Sequence, residues 1–246
     1  MTIGTASHHI SKKFDTELEN IREHVLAMGG LVEQQLTDAL KSLAENEVEY
    51  AQTVINNEPT VNNYEVTIDE DCTKILARRQ PAASDLRLVM AVIKTITDLE
   101  RIGDESEKIA KMAIDLIERQ GPKSYYVGIN AMGDHARKMV HDALDAFARM
   151  DSSTAVTVAG EEPKSDDMYA AVLRQLITYM MEDPRNISGI IDAVWSARAL
   201  ERIADHARNI CEYVIYFVEG KDVRHTSIEQ MEKEVRKNKV DIIDNS

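Results

Sequence analysis

The chain has 246 residues, of which 43% are hydrophobic and 29% charged, a composition typical of a protein that folds around a core. With 10 glycines and 5 prolines it has few turn formers, so long helices are favoured over a β protein with many strands. Its formal net charge of −14 disfavours direct binding to nucleic acid or to anionic lipid, because both carry negative charge.

Two features indicate the compartment. Cys72 and Cys211 are far apart and form no Cys-x-x-Cys motif, so we expect two buried, reduced thiols. The opening segment MTIGTASHHISKKF lacks the apolar core of a signal peptide, and no stretch is long and apolar enough to span a bilayer. The sequence therefore predicts a cytoplasmic protein with no membrane insertion.

Apolar residues recur at helical spacing along most of the chain, as they do between Leu86 and Leu99. This pattern predicts an all-α fold with six long helices, three on each side of Gly121-Pro122. Residues 1–121 would form one unit, and residues 122–246 would form a second unit with a polar C-terminal tail.

Several residues indicate where the helices begin or are interrupted. Ser84 and Asp151 are candidate N-caps, and Asp183 followed by Pro184 is typical of a capped helix start. Glu58-Pro59 and Glu162-Pro163 are compatible either with a bend inside a long helix or with a short break.

The two halves of the chain align with each other, first at an offset of 104 residues and then, in the third helix, at an offset of 101. A shorter connection between helices accounts for the change of three. The matching segments are Met28-Gly29 with Met132-Gly133, Asp38–Leu40 with Asp142–Leu144, Glu58-Pro59 with Glu162-Pro163, and Leu99–Ile102 with Leu200–Ile203. The chain is therefore predicted to be a tandem repeat of a three-helix unit.

Paired carboxylates mark the third helix of each repeat. Glu100 and Asp104, like Glu201 and Asp205, are four residues apart, which places both side chains on one helical face. Like charges at this spacing repel by a few tenths of a kcal/mol, on the order given by helical peptides, so helix stability does not explain them.

These glutamates also continue an apolar stripe. Glu100 follows Ile93 by seven residues and Glu201 follows Val194 by seven, which is nearly two helical turns. A carboxylate directed towards a helix–helix interface must be neutralised, paired or bound to a cation, and grouped carboxylates suit Mg, Ca, Mn or iron. A solvated face with Arg–acid pairs is the open alternative.

The second helices offer further acids but no complete match. Glu65 and Asp69 are again four residues apart, and Asp166 is the nearest counterpart in the second repeat. Ala170 stands four residues after Asp166, so the second repeat lacks the corresponding pair.

The histidines in the helices form no ligand pair of the His-x-x-x-His or Glu-x-x-x-His kind. His206 directly follows Asp205 and so points about 100° away from it on a helix. We therefore expect surface or capping histidines at His24, His135, His141 and His206.

Three segments resemble the signatures of the PhoU family: RRQPAASDLRLVMAVIKTITDLERIGD (Arg78–Asp104), DALDAFARMD (Asp142–Asp151) and ALERIADHARNICEYVIYFVEG (Ala199–Gly220). The resemblance extends from about Ile10 to His225 and includes the repeat. It implies two similar three-helix bundles packed side by side, commonly in a homodimer. It also implies negative control of the phosphate-starvation response, with the protein linking the ATPase subunit of an ABC phosphate transporter to a sensor histidine kinase.

The resemblance further implies a metal site. Some members of the family bind multinuclear clusters through Glu/Asp-x-x-x-Asp motifs, for which Mg, Mn, Zn or Fe are the candidate metals. The corresponding positions are Glu100, Asp104, Glu201 and Asp205, and more loosely Glu65, Asp69 and Asp166.

The sequence favours a binding function over catalysis. It contains no phosphate-cradling Gly-rich loop, no Gly-x-Ser-x-Gly elbow and no Cys–His arrangement. One alternative is a carboxylate-bridged helical bundle that stores metal or acts as a di-iron oxidase. It is disfavoured because no glutamate is followed three residues later by histidine. The other alternative is a structural module whose acids only confer solubility.

Overall fold

The computed structural model describes residues 12–119 and 127–244, with side chains described up to residue 236. Within these ranges there are eight α-helices and no β-strand, which confirms the all-α prediction. The helices are α1 (Lys12–Glu45), α2 (Val48–Arg79), α3 (Ala83–Glu118), α4 (Val127–Arg149), α5 (Ser152–Ala159), α6 (Glu162–Glu182), α7 (Ile187–Glu219) and α8 (Ile228–Asp244). None of these helices combines the length and the apolar character that crossing a membrane requires. The predicted boundary at Gly121-Pro122 lies outside the described residues.

The first error in the prediction of six helices lies in the second repeat. There α5 and α6 are separate helices, whereas α2, their counterpart in the first repeat, runs unbroken through Pro59. Gly160 stands where the repeat alignment places Asn56, and glycine costs about 1 kcal/mol in a helix interior relative to alanine. The break then puts Pro163 in the first turn of α6, where its missing N–H is tolerated.

The predicted polar C-terminal tail contains a further helix, α8. The side chain of Gln230 accepts from the backbone N–H of Ser227 at 3.2 Å, while the backbone N–H of Gln230 donates to Ser227 Oγ at 3.4 Å. This reciprocal capping box starts the helix, and Met231 and Val235 are buried against the rest of the second repeat.

The predicted helix starts have mixed outcomes. The Asp151 carboxylate accepts a hydrogen bond from the backbone N–H of Ser153 at 2.9 Å and caps α5. Asp183 accepts from the backbone N–H of Arg185 at 3.2 Å and caps a 3-10 turn that leads directly into α7. The prediction for Ser84 is wrong, because α3 begins one residue earlier.

The two repeats pack side by side, and α3 and α7 form the seam between them. Asp98 contacts His206, and Glu105 contacts Arg202. The residue numbers of the partners therefore decrease along α7 as those on α3 increase. The two helices are therefore antiparallel. Many of their apolar residues, such as Leu99, are fully buried, and burying one side chain of this size stabilises the fold by about 1.5–3 kcal/mol.

A second contact between the repeats joins α1 to α4 through two glycines. A Cβ added at Gly29 would lie 2.5 Å from Leu144 Cδ2, and one added at Gly133 would lie 2.3 Å from Leu40 Cδ2. Gly29 and Gly133 are equivalent in the repeat alignment, as are Leu40 and Leu144. Each repeat thus inserts a leucine over the glycine of the other, with approximate two-fold symmetry.

The turn after the first helix of each repeat contains a residue in the left-handed region. Asn46 has φ 61°, and its equivalent, Met150, has φ 54°. Asparagine adopts this conformation readily, whereas for other non-glycine residues it costs about 1–2 kcal/mol. The second repeat therefore carries backbone strain at Met150 that the first repeat avoids.

Gly29→Ala is expected to be less stable than Gly30→Ala. Both substitutions gain up to about 1 kcal/mol of helix propensity. At Gly29, however, the new methyl group meets Leu144, and overpacking costs about 1–3 kcal/mol, whereas a Cβ at Gly30 has nothing within 4 Å. Urea unfolding should show a difference of roughly that size. Equal stabilities would contradict a close α1–α4 contact.

Met150→Asn is expected to raise the free energy of unfolding by about 1 kcal/mol, because asparagine relieves the left-handed strain. The reciprocal change, Asn46→Met, should lower it by a similar amount. Thermal unfolding of both variants tests the pair, and a loss of stability in Met150→Asn would refute it.

Candidate functional site

In the first repeat, four carboxylates gather where α2 faces α3. Glu100 and Asp104 lie one turn apart on α3, and both are half-buried. Thr97 Oγ1 donates to Glu65 Oε1 at 3.3 Å and ties α2 to this part of α3. Glu58 belongs to the same group, because its charge acts on Glu100.

Burial and repulsion within the group disfavour the negative charge of Glu100. Burial raises the pKa of Glu100 above its usual range, and the charges of Asp104, Glu65 and Glu58 raise it further, while Arg101 opposes them. Among the described residues, no Lys or Arg nitrogen lies within 4 Å of any of the four carboxylates. They face one another without a bonded counter-charge.

The second repeat has an equivalent group on α6 and α7. Glu201 is 7% exposed and Glu162 is 9% exposed, while Asp205 is half-buried and Asp166 is exposed. Burial and then Asp205 raise the pKa of Glu201, and burial, Glu162 and Asp166 raise that of Asp205. The four side chains therefore act on one another as those of the first group do, although Asp166 stands where the first repeat has Asn62.

Two arginines distinguish this second group. Arg198 donates from Nη1 to Glu201 Oε1, and Arg208 donates from Nη1 to Glu162 Oε2 at 2.6 Å. Glu201 Oε2 is buried and has no hydrogen-bond partner within the described part of the chain. Burial still outweighs Arg198 in setting the pKa of Glu201, since an ion pair compensates only part of the desolvation of a buried carboxylate.

The donor chemistry of the first group fits a hard cation, since it consists of carboxylate oxygens that lack a bonded cation. In the second group, arginines already bind Glu201 and Glu162, so it fits a cation poorly. Over the residues that the structure describes, no three His, Cys, Asp or Glu side chains converge closely enough to hold an ion as they stand. A cation would have to draw the first group together.

The predicted site residues are thus only partly brought together. Glu65, Glu100 and Asp104 form one group and Asp166, Glu201 and Asp205 another, but Asp69 is exposed and is not one of the acids that raise the pKa of Glu100. Sequence reasoning missed Glu58 and Glu162. Both matched in the repeat alignment, which was the available signal, but each was interpreted only as the residue before a proline.

The seam between the repeats contains a buried polar network. The Asp98 carboxylate, 6% exposed, accepts from Asn209 Nδ2 at 3.1 Å and pairs with His206 Nδ1 at 2.7 Å. Burial and then Asp98 raise the pKa of Tyr213, whose hydroxyl also contacts this carboxylate. The prediction of a surface histidine at position 206 is wrong, because His206 is 7% exposed and links α7 to α3.

A second buried carboxylate, Glu105, lies further along the seam. It is 3% exposed, and its Oε1 accepts from Arg202 Nη1 at 2.7 Å and from Lys108 Nζ at 3.0 Å. Glu105 and His206 occupy equivalent positions of the two repeats. Equivalent backbone positions of the two repeats therefore meet along the seam, but the side chains at these positions differ in charge.

The comparisons with known proteins agree with this architecture. The PhoU domain family matches residues 25–113 and again residues 129–214, which reproduces the two repeats and covers most of the chain. The chain belongs to the PhoU family. The match ends before α8, which lies outside the repeated unit.

Relatives of known name are similar over almost their whole length. The phosphate-specific transport system accessory protein PhoU homolog of Pseudomonas putida is 53% identical over 94% of this chain and 90% of its own. The PhoU protein of Escherichia coli K12, which has the same description, is 47% identical over 92% of this chain and 93% of its own.

Two solved PhoU structures share the fold. That of Pseudomonas aeruginosa PhoU has a TM-score of 0.83 at 51% identity and covers 85% of this chain and 100% of its own. That of the phosphate transport system regulatory protein PhoU from Streptococcus pneumoniae has a TM-score of 0.78 at 32% identity, covering 85% and 99%. The fold of this chain, with its two repeats, is thus shared with these two PhoU structures.

Glu100→Gln is expected to stabilise the metal-free protein at pH 7. The raised pKa of Glu100 means that the folded state holds more protons than the unfolded state between the ordinary carboxyl pKa and the raised one. Stability therefore falls as the pH rises through that window, and removing the charge avoids the loss.

Calorimetry in chelator should show a rise in Tm on the order of 1–3 °C at pH 7 and none near pH 4, where the carboxyl is protonated in both states. Asp69→Asn, at an exposed position, is the control and should change little. A lower Tm of Glu100→Gln at pH 7 would show that the carboxylate stabilises the fold.

Proposed function

We propose that this chain is a non-enzymatic regulator of phosphate uptake that restrains the phosphate-starvation response when phosphate is plentiful. It would bind the ATPase subunit of an ABC phosphate transporter and a sensor histidine kinase, and so connect the two. The observation that carries the proposal is the near full-length similarity to proteins named phosphate-specific transport system accessory protein PhoU.

The chemistry of the side chains supports binding over catalysis. Both cysteines are buried, and burial raises the pKa of Cys72 to about 12 and raises that of Cys211 as well. A thiol must be ionised to act as a nucleophile, so neither is suited to covalent catalysis. Buried reduced thiols also accord with the proposed cytoplasmic location.

A surface suited to protein contacts lies where α6 and α7 adjoin. Five large apolar side chains are exposed there, and exposed apolar groups of this size favour interaction with other proteins. They are Ile177, Met181, Ile187, Ile191 and Trp195. We name this set the α6–α7 patch and propose that it contacts the transporter ATPase or the kinase. We also propose that the protein is a homodimer, as is common in the family.

Cation binding is the second part of the proposal and concerns Glu58, Glu65, Glu100 and Asp104. A divalent or iron cation such as Mg, Mn, Zn or Fe would neutralise these carboxylates and join α2 to α3. Support comes from the absence of a bonded Lys or Arg around them in the described structure. If the chain were instead an iron store or di-iron oxidase, the purified protein would consume oxygen on addition of Fe(II).

Deleting the gene is expected to raise phosphatase expression in phosphate-rich medium, because repression would be lost. The purified chain should bind the transporter ATPase subunit and the cytoplasmic part of the kinase in pull-down experiments. Unchanged phosphatase expression in the deletion strain would argue against a regulatory function.

Trp195→Asp is expected to weaken at least one of these interactions at least tenfold, because it places a charge in the α6–α7 patch. Val66→Asp is the matched control, since Val66 is 57% exposed and Trp195 is 58% exposed. Equal loss of binding in both variants would show that the patch is not the contact surface.

A further inference from the structure

The two acidic groups occupy equivalent places but differ in the residues around them. On α3 and α7, at the offset of 101, Thr97 corresponds to Arg198 and Glu107 to Arg208. On α2 and α6, at the offset of 104, Glu65 corresponds to Tyr169. The second repeat has therefore replaced the carboxylate of Glu65 by an aromatic ring, gained a carboxylate at Asp166, where the first repeat has Asn62, and gained two guanidinium groups.

In the first exchange, two residues that contact each other in the first repeat are both replaced in the second, and their replacements again contact each other. In the first repeat, Thr97 Oγ1 donates to Glu65. In the second, Arg198 bonds to Glu201, and its Cζ lies 5.7 Å from the centroid of the Tyr169 ring. The ring that replaces Glu65 thus holds the guanidinium in place by a cation–π contact.

The second exchange brings Arg208 to Glu162. Arg208 Nη1 binds Glu162 Oε2 at 2.6 Å, and its Nε reaches Glu212 at 3.2 Å. The equivalent residue of the first repeat, Glu107, instead pairs with Lys111 at 2.6 Å. That lysine neutralises Glu107, and Glu58, the counterpart of Glu162, has no Lys or Arg partner among the described residues.

We infer that Arg198 and Arg208 act as built-in counter-ions of the second acidic group, so that the second repeat takes up no metal cation. Arginine remains charged at all physiological pH values and presents several donors in a fixed plane, which suits permanent neutralisation. A metal ion entering this group would have to displace both guanidinium groups or be repelled by them.

The unpartnered oxygen of Glu201 does not require a metal. Its Oε1 is bonded to Arg198, so the carboxylate already has a counter-charge. The buried Oε2 lacks only a hydrogen-bond donor, and a water molecule can supply one. If the protein binds cations as proposed above, the first repeat is then the only repeat that binds them. This part of the inference, and no other, rests on the proposed function.

The stability test uses metal-free protein and does not depend on cation binding. Arg198→Thr installs the residue of the first repeat and leaves buried Glu201 without its counter-ion, so its Tm in chelator should fall by about 2–6 °C. Arg149→Thr removes an arginine from an exposed pair with Asp145 and should leave the Tm unchanged. An unchanged Tm in Arg198→Thr would overturn the inference.

The binding test measures bound Mn²⁺ by equilibrium dialysis and elemental analysis. Glu100→Gln/Asp104→Asn should reduce binding at least tenfold, whereas Glu201→Gln/Asp205→Asn should leave the wild-type stoichiometry unchanged. Loss of Mn²⁺ in the second double variant would overturn the inference. If the wild type binds no Mn²⁺, the proposed cation binding fails, and the Tm of Arg198→Thr alone decides the role of the arginine.

Discussion

The close antiparallel approach of the two repeats is the constraint on which the rest of the structure depends. Gly29 and Gly133 let the leucines of the opposite repeat reach the helix backbone of α1 and α4, while α3 and α7 form a second, long contact between the repeats. These contacts fix which face of α3 and α7 is buried against the partner repeat. The remaining face is left for α2 or α6, and the acidic groups lie there.

The carboxylates of α3 and α7 differ in how their charge is compensated. Asp98 and Glu105 are almost fully buried. Asp98 has several partners across the seam, and Glu105 has Arg202 across it and Lys108 on its own helix. Glu201 has a single arginine, and Glu100 has no bonded cation among the described residues. Because the energetic cost of a carboxylate rises with burial and falls with pairing, Asp98 and Glu105 act as structural groups. Glu100 and its neighbours have no such compensation among the described residues, which is why the proposed cation binding concerns them.

The helical class, the duplication and the caps at Asp151 and Asp183 were predictable, because they depend on local spacing and on the chemistry of single residues. The buried location of His206 was not, since nothing in its own helix indicates that Asp98 of the other repeat would face it. Glu58 and Glu162 were missed for a related reason. Their role depends on which helices meet, which a sequence pattern along one helix does not contain.

The asymmetric charges of the seam also determine which halves can pair with each other. If two copies of the first repeat associated in the same way, Asp98 of one copy would meet Glu105 of the other, because Glu105 is the counterpart of His206. Two buried acids would then be opposed and would repel each other. In this chain His206 stands opposite Asp98 instead, and the two side chains are hydrogen-bonded. At this position the first repeat is therefore complementary to the second repeat and not to a copy of itself, so the seam favours pairing of the two different halves within one polypeptide.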